Sequence, residues 1–499
     1  MTKLSAWKIA SAVFLLCAAT PIASPAQNFS TLPAFRGTNG ANPTVSLTQG
    51  ADGNYYGLTV YDGEGTYHTQ YDGGVFFRVT PKGKLTVLYN FCSNVNCIDG
   101  SLPDGGLVLA TDGNFYGTTT GGGAHGYGTV FKMTPAGKLT TLYSFCSQVN
   151  CNDGIDPTGT LVQATDGNFY GTTEYWGPFG SALGGGTVFK ITSTGKLTTL
   201  YGFCAQKFCS DGNGPESVGL VQATDGNFYG TTTKGGVNNF GTVFKITPGG
   251  AQTTIYSFCS QSDCNDGAAP RGSLLQASDG DFYGTTSQGG PNLMGNVYKI
   301  TSGGTLTSLY VFCNLDPYCK DGAGPTAGLV QATDGNLYGT TTLGGANGGG
   351  GTLFKITPAG TLTTLHNFCA QTNCVDGDSP IGGLLQATDG ALYGTTYYGG
   401  LTNCTDTPGC GTLFGLNIGL GPFVTFVRAA GKVGQTGGIL GQSFIGTSAV
   451  LFGGIPASFT VRSDTLIEAT VPPGATTGFV TVTTPSGVLT SNVPFRVLP

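Results

Sequence analysis

Charge is scarce in this sequence. Only 10% of its 499 residues are Asp, Glu, Lys or Arg, and histidine, methionine and tryptophan occur three, three and two times. With 21 basic and 27 acidic side chains and a net charge of −6, the balance gives no support for nucleic-acid or anionic-membrane partners. Three scattered histidines, His68, His125 and His366, offer no metal-binding cluster, and no Ser-His-Asp signature is present. No stretch carries the sustained 3.6-residue apolar period of a helix-rich domain. After the first 20 residues no apolar run is long enough to cross a bilayer, so no membrane span is expected in the mature chain. Low charge does not mean disorder here. Aromatics reach 11%, enough apolar surface to offset chain entropy.

The extreme N-terminus reads as an export signal. Lys3 and Lys8 precede the apolar residues 9–20, and Ser24-Pro25-Ala26 supplies a small-residue cleavage site. Cleavage after residue 26 would leave a net charge of −8, because Lys3 and Lys8 go with the signal. A secreted, periplasmic or cell-surface location follows as an expectation.

What is plentiful is glycine, 86 residues, together with repetition. The phrase "ATDGNFYGTT" (110–119) returns in variants with its Asp at 52, 112, 166, 225, 279, 334 and 389, at spacings of 54 to 60 residues. Each copy reads as strand, Asp-Gly hairpin turn, strand, Gly-rich loop, strand, Pro-x-Gly turn, strand. Seven such meanders predict a seven-bladed β-propeller over residues 27–420, each blade buried on both faces. Residues 29–44 match the end of a repeat, and the seventh copy lacks its last strand. Phe29–Phe35 is therefore expected to close the ring as that strand, removing two unpaired edges. Residues 421–499 lose the repeat and carry β-branched runs broken by Pro and Gly, predicting a separate β-sandwich. The fold class is all-β.

The recurring run "GLVQATDGNFYGTTTKGG…GTVFKITPGG" (219–250) resembles the GloVer-type tandem repeats of exported bacterial proteins. The tail, in "GGILGQSF" and "AVLFGGIPASFTVRSDTLIEATVPPGATTGFVTVTTPSG", resembles an IPT/TIG domain of Ig-like, E-set fold. The first resemblance implies an exported, often surface-associated protein and no particular activity.

Outside the signal, the cysteines fall into seven close pairs. Six follow the fourth strand: Cys92/Cys97, Cys146/Cys151, Cys204/Cys209, Cys259/Cys264, Cys313/Cys319 and Cys369/Cys374. The seventh, Cys404/Cys410, lies between the second and third strands of the last copy. Zinc sites usually need four ligands, and each pair stands alone, so an exported chain with this pattern predicts local disulfides. Propeller connectivity puts these loops and the variable loops after the second strands on one face, the expected working surface.

Most recurring polar residues read as structural. The turn Asp series suits a hairpin, and the series after the cysteines (Asp99, Asp153, Asp211, Asp266, Asp321, Asp376) suits a cap on a Gly turn. Calcium stays open as the alternative there, and no other cofactor is expected. Departures from the repeat carry more information. Copy one holds Tyr61, Glu64, Tyr67, His68 and Tyr71, copy two His125 and Tyr127, copy three Glu174, Tyr175 and Trp176, and copy seven Tyr397 and Tyr398. Copies four to six look plain. Blades seven, one, two and three are consecutive in a ring, so these loops would form one aromatic arc, suited to stacking on a glycan or other surface polymer. Alternatively the longer loops bury their own aromatics. Two further functional readings remain: a polysaccharide hydrolase or lyase using Glu64 or Glu174, and a purely structural envelope component.

Overall fold

The computed structural model describes residues 28–61, 73–180, 184–216, 219–313, 318–400 and 409–499. The expected signal peptide, residues 1–26, lies outside them.

Each repeat folds locally for reasons visible in its second copy. Gly113 takes a left-handed φ of +77° in the Asp-Gly turn, where an added Cβ would meet nothing within 4 Å, so backbone conformation alone demands the glycine. Asp112 Oδ1 accepts the Asn114 N–H at 3.1 Å, and Oδ2 accepts from the Tyr116 hydroxyl at 2.9 Å and Lys132 Nζ at 2.7 Å. The recurring Asp, Tyr and Lys are thus one hydrogen-bonded unit tying the turn to the third strand. The same unit forms around Asp166, Asp225, Asp279 and Asp334. Gly117 answers a different need, since a Cβ there would stand 2.7 Å from the Phe131 ring.

Among the described residues, seven four-stranded antiparallel sheets repeat this pattern. The seventh is completed by the N-terminal strand Asn28–Ala34, which pairs with Thr412–Asn417 from Asn28↔Asn417 to Ala34↔Thr412. Neighbouring sheets pack through a Tyr of one against an aromatic of the next: Tyr56–Phe115, Tyr116–Phe169, Tyr170–Phe228 and Tyr229–Phe282, with ring centroids 4.0–4.4 Å apart. Leu337 and Leu392 take the aromatic's place in the next two junctions. The last sheet meets the first through Tyr393 and Tyr55 at 4.4 Å.

Polar contacts run the same way. Backbone N–H groups of Thr111, Thr165, Thr224, Ser278 and Thr333 donate to the side chains of Gln163, Gln222, Gln276, Gln331 and Gln386 in the next sheet. Thr388 donates to Gln49, returning from the seventh sheet to the first. Only the junction from the first sheet to the second breaks this chain, because Leu109 stands where the other sheets have Gln.

The C-terminal segment builds two further four-stranded sheets around a core of its own that includes Val424, Ile439, Phe452, Ile467, Val480 and Phe495. It sits against the Asp-Gly turns. Thr465 Oγ1 donates to the Ala51 carbonyl at 2.7 Å, and Arg496 Nη1 to the carbonyls of Ala223 and Thr224 at 3.0 and 2.7 Å. Val427, Leu440 and Leu466 pack over Ala51 and Leu109, the junction that lacks its Gln. No helix among the described residues is long and apolar enough to cross a membrane.

Candidate ligand-binding site

The cysteine loops are stiff by construction. Six disulfides form as the spacing predicts: Cys92–Cys97, Cys146–Cys151, Cys204–Cys209, Cys259–Cys264, Cys313–Cys319 and Cys369–Cys374. Cys410 is buried and disulfide-bonded, while Cys404 lies outside the described residues. Inside the second loop, Asp153 accepts from the Tyr143 hydroxyl at 2.8 Å and from the N–H groups of Ser147 and Gln148 at 2.9 and 3.2 Å. Asp99, Asp211, Asp266 and Asp376 cap their loops alike. Their carboxylate oxygens are committed to N–H and O–H donors, as a loop cap requires. Among the described residues no three His, Cys, Asp or Glu side chains gather to hold a metal. His366, standing where other repeats have Tyr, keeps the contact to Asp376 at 3.2 Å, and burial pushes its pKa down.

Each loop after a fourth strand, the cysteine-free one at 35–43 included, then bridges to the loop after the second strand of the next sheet. The pairs Ala41↔Tyr61, Ser101↔Gly121, Ile155↔Tyr175, Asn213↔Lys234, Ala268↔Gln288, Ala323↔Leu343 and Asp378↔Tyr398 are structurally equivalent. Tyr61, Tyr175 and Tyr398 therefore occupy one level of one face, and Glu174 and Tyr397 sit one residue earlier in the same loops. Just beyond each bridge a proline leads into the innermost strand. The residues after it are Thr44, Asp104, Thr158, Glu216, Arg271, Thr326 and Ile381, one per sheet. Six of these seven, all but Glu216, line a single cavity of about 390 Å³.

This ring is where the repeat symmetry fails chemically. Arg271 Nη1 donates to Glu216 at 2.8 Å, and Thr233 Oγ1 to the other Glu216 oxygen at 3.3 Å. Thr44 donates to Asp104. Burial raises the Asp104 carboxyl to about 6 despite that bond, with the Glu216 charge adding to the shift. Burial likewise raises Asp156 to about 6. Glu174 is only 8% exposed; burial lifts it to about 7 against the Tyr175 hydrogen bond, helped by the charges of Glu216 and Asp156. Beside this acidic arc, Tyr397 hydrogen-bonds Tyr61 and stands perpendicular to Tyr398 at 4.6 Å.

Of the expected aromatics, Tyr61, Tyr397 and Tyr398 meet one another, and most of those described are half-buried. Tyr61, Tyr175, Trp176, Tyr397 and Tyr398 each keep part of their surface, while His125 and Tyr127 are exposed. Glu64, Tyr67, His68 and Tyr71 lie outside the described residues. Two groups were missed from sequence. One is the post-proline ring, which an alignment of the seven copies at that proline would have shown. The other is a set of exposed apolar side chains, on the cysteine loop of copy three and in the plain loops of copies four and five: Phe208 is 84% exposed, Val237 81% and Leu293 66%. Phe208 also holds a left-handed φ of 58°, where sister loops place Asn or Asp.

A family model described as the Gloeobacter/Verrucomicrobia repeat matches residues 65–274, 146–318 and 260–467. No curated protein matches the sequence significantly. Among solved structures, a fungal alcohol oxidase of the AA5 family in complex with copper is similar at 13% identity over 95% of this chain and 99% of that one, with a TM-score of 0.49. The extracellular domain of a one-component system from B. thetaiotaomicron is similar at 12% identity over 95% of this chain and 58% of that one, with a TM-score of 0.47. Likeness this distant carries nothing about activity.

Proposed function

Because the chain belongs to the Gloeobacter/Verrucomicrobia repeat family, we propose that it is an exported binding protein whose seven sheets are the blades of a β-propeller. On this reading residues 1–26 are a cleaved signal, 27–420 the propeller and 421–499 an Ig-like domain of IPT/TIG type. The disulfides fit an oxidising, extracellular setting. The ligand is a glycan or comparable polyhydroxylated surface polymer, taken at the mouth of the central cavity on the cysteine-loop face.

One observation carries this reading. Where the repeat gives way, Asp104 and Arg271 line one cavity, Glu216 holds Arg271 beside it, and Tyr397, bonded to Tyr61, stands close enough to feel the Asp104 charge. Paired carboxylate oxygens accept from neighbouring sugar hydroxyls, and tyrosine rings stack on the apolar faces of sugar rings. A glycan array probed with the wild-type chain should give a signal that Glu216→Gln and Tyr397→Ala each weaken by about tenfold or more. An unchanged signal in both variants would place the ligand elsewhere.

A hydrolase or lyase reading rests on Glu174, whose pKa of about 7 suits a general acid. Polysaccharide cleavage abolished by Glu174→Gln would establish it. Retention of ligand without product release in the wild type favours binding alone.

A further inference from the structure

The C-terminal segment holds a second cavity, far from the cysteine-loop face. Its volume is about 240 Å³. Its floor is the segment's own apolar core: Ile439, Phe452, Ala469, Val471 and Phe495, each at most 5% exposed. Protein interiors are normally close-packed, so an opening that reaches core side chains calls for a cause.

Two neighbouring strands supply it. Thr425–Phe426 pairs with Thr436–Leu440 only through Thr425↔Leu440 and Phe426↔Ile439. One further bond, Val427 N to the Gly438 carbonyl at 3.1 Å, continues the pairing before the strands part. Where they part, the wider strand carries Gly437 and Gly438. Neither has a left-handed φ, so backbone freedom does not explain them. A Cβ on Gly437 would meet nothing within 4 Å. What the glycine provides is an open gap into the core.

The mouth of this gap is polar, with Arg428, Gln435, Thr436 and Thr111 around it. Arg428 is half-buried and spends its Nε on the Ala430 carbonyl at 3.1 Å. Its terminal nitrogens hydrogen-bond to no other described residue. Arg496, on the same segment, instead uses Nη1 on two turn carbonyls. The carboxylate whose field reaches Arg428 is Asp166, already engaged by Lys190 at 2.9 Å, Asn168 at 2.8 Å and Tyr170 at 2.9 Å. A guanidinium fork beside an apolar slot is complementary to one ligand class, a carboxylate on a hydrocarbon chain.

We propose that the gap between Arg428 and Gly437 binds the acyl chain of a short or medium-chain carboxylic acid, with its headgroup on Arg428. Octanoate is the probe and octanol its uncharged counterpart, both titrated by calorimetry into the full mature chain. Octanoate should bind at one site, and Arg428→Gln should weaken it by about tenfold while leaving octanol unchanged. Gly437→Leu fills the slot and should abolish both, with the melting temperature held or raised. Gly437→Ala, a smaller plug in open space, should weaken both if the leucine variant fails to fold. Absence of octanoate binding to the folded wild type, or binding indifferent to both Gly437 variants, overturns the proposal. Tyr397→Ala should leave octanoate binding intact, which separates this site from the glycan reading.

Discussion

At Phe208, chain strain and exposure point the same way. A bulky side chain at φ 58° costs about 1–2 kcal/mol relative to residues that tolerate the left-handed region. At 84% exposure the ring recovers little of that by burial. Phe208→Asn should therefore raise the chain's stability by about 1 kcal/mol in chemical denaturation, and a fall would mean the ring packs against something. Glu174 behaves oppositely with pH. In the folded chain it keeps its proton up to about pH 7, against an ordinary value of 4.5 once unfolded. Between those values the folded state binds more protons, so stability from this group is lost as pH rises through the window. Glu174→Gln should then melt higher than wild type at pH 8 and nearly with it at pH 4.5. A variant equally destabilised at both pH values would show that the carboxylate is held for its hydrogen bonds. The sequence marks Glu174, Tyr175 and Trp176 as departures from the repeat. It cannot mark their burial, because exposure depends on the bridge Ile155↔Tyr175 that folds the loop down.

Among elements, the cysteine loop shows how far pattern carries. Spacing predicts the disulfides, and the Asp that follows reads as a cap. What pattern leaves out is that the cap reaches back to a Tyr of the preceding strand, as Tyr143 to Asp153, and so fixes the loop to its sheet. Closing so short a loop with a disulfide is worth about 2 kcal/mol through the unfolded state. Removing Asp153 leaves the Tyr143 hydroxyl and two N–H groups without their acceptor, at about 1–3 kcal/mol for each group that stays buried. Asp153→Ala should thus cost at least as much as the double change Cys146→Ser with Cys151→Ser. Urea denaturation of both variants compares them. Hydrogen exchange should show fast exchange at Ser147 and Gln148 in the aspartate variant specifically. A disulfide loss that clearly exceeds the aspartate loss would make the sulfur bridge the main brace.

For the whole molecule, ring closure is legible because the two ends of the repeat region are fragments of one repeat, and Asn28–Ala34 completes the seventh sheet accordingly. Where the C-terminal segment docks is written just as plainly, but as a missing residue. Six junctions carry a Gln that accepts a neighbour's N–H; at the remaining one Leu109 stands in its place, 6% exposed beneath Val427, Leu440 and Leu466. One apolar substitution in a polar ring turns a repeat into a landing site. Leu109→Gln should restore the acceptor for Ala51 and remove the apolar floor, weakening the dock by about 2–3 kcal/mol. Arg496 and Phe423 still hold the segment elsewhere, through Ala223, Thr224 and Thr388. The expected result is therefore local loosening, with hydrogen exchange rising over 425–440 and 466–470 while 115–119 stays protected. Equal loss of protection in both regions would show that the junction stabilises the ring itself, and that docking is governed by the arginine contact instead.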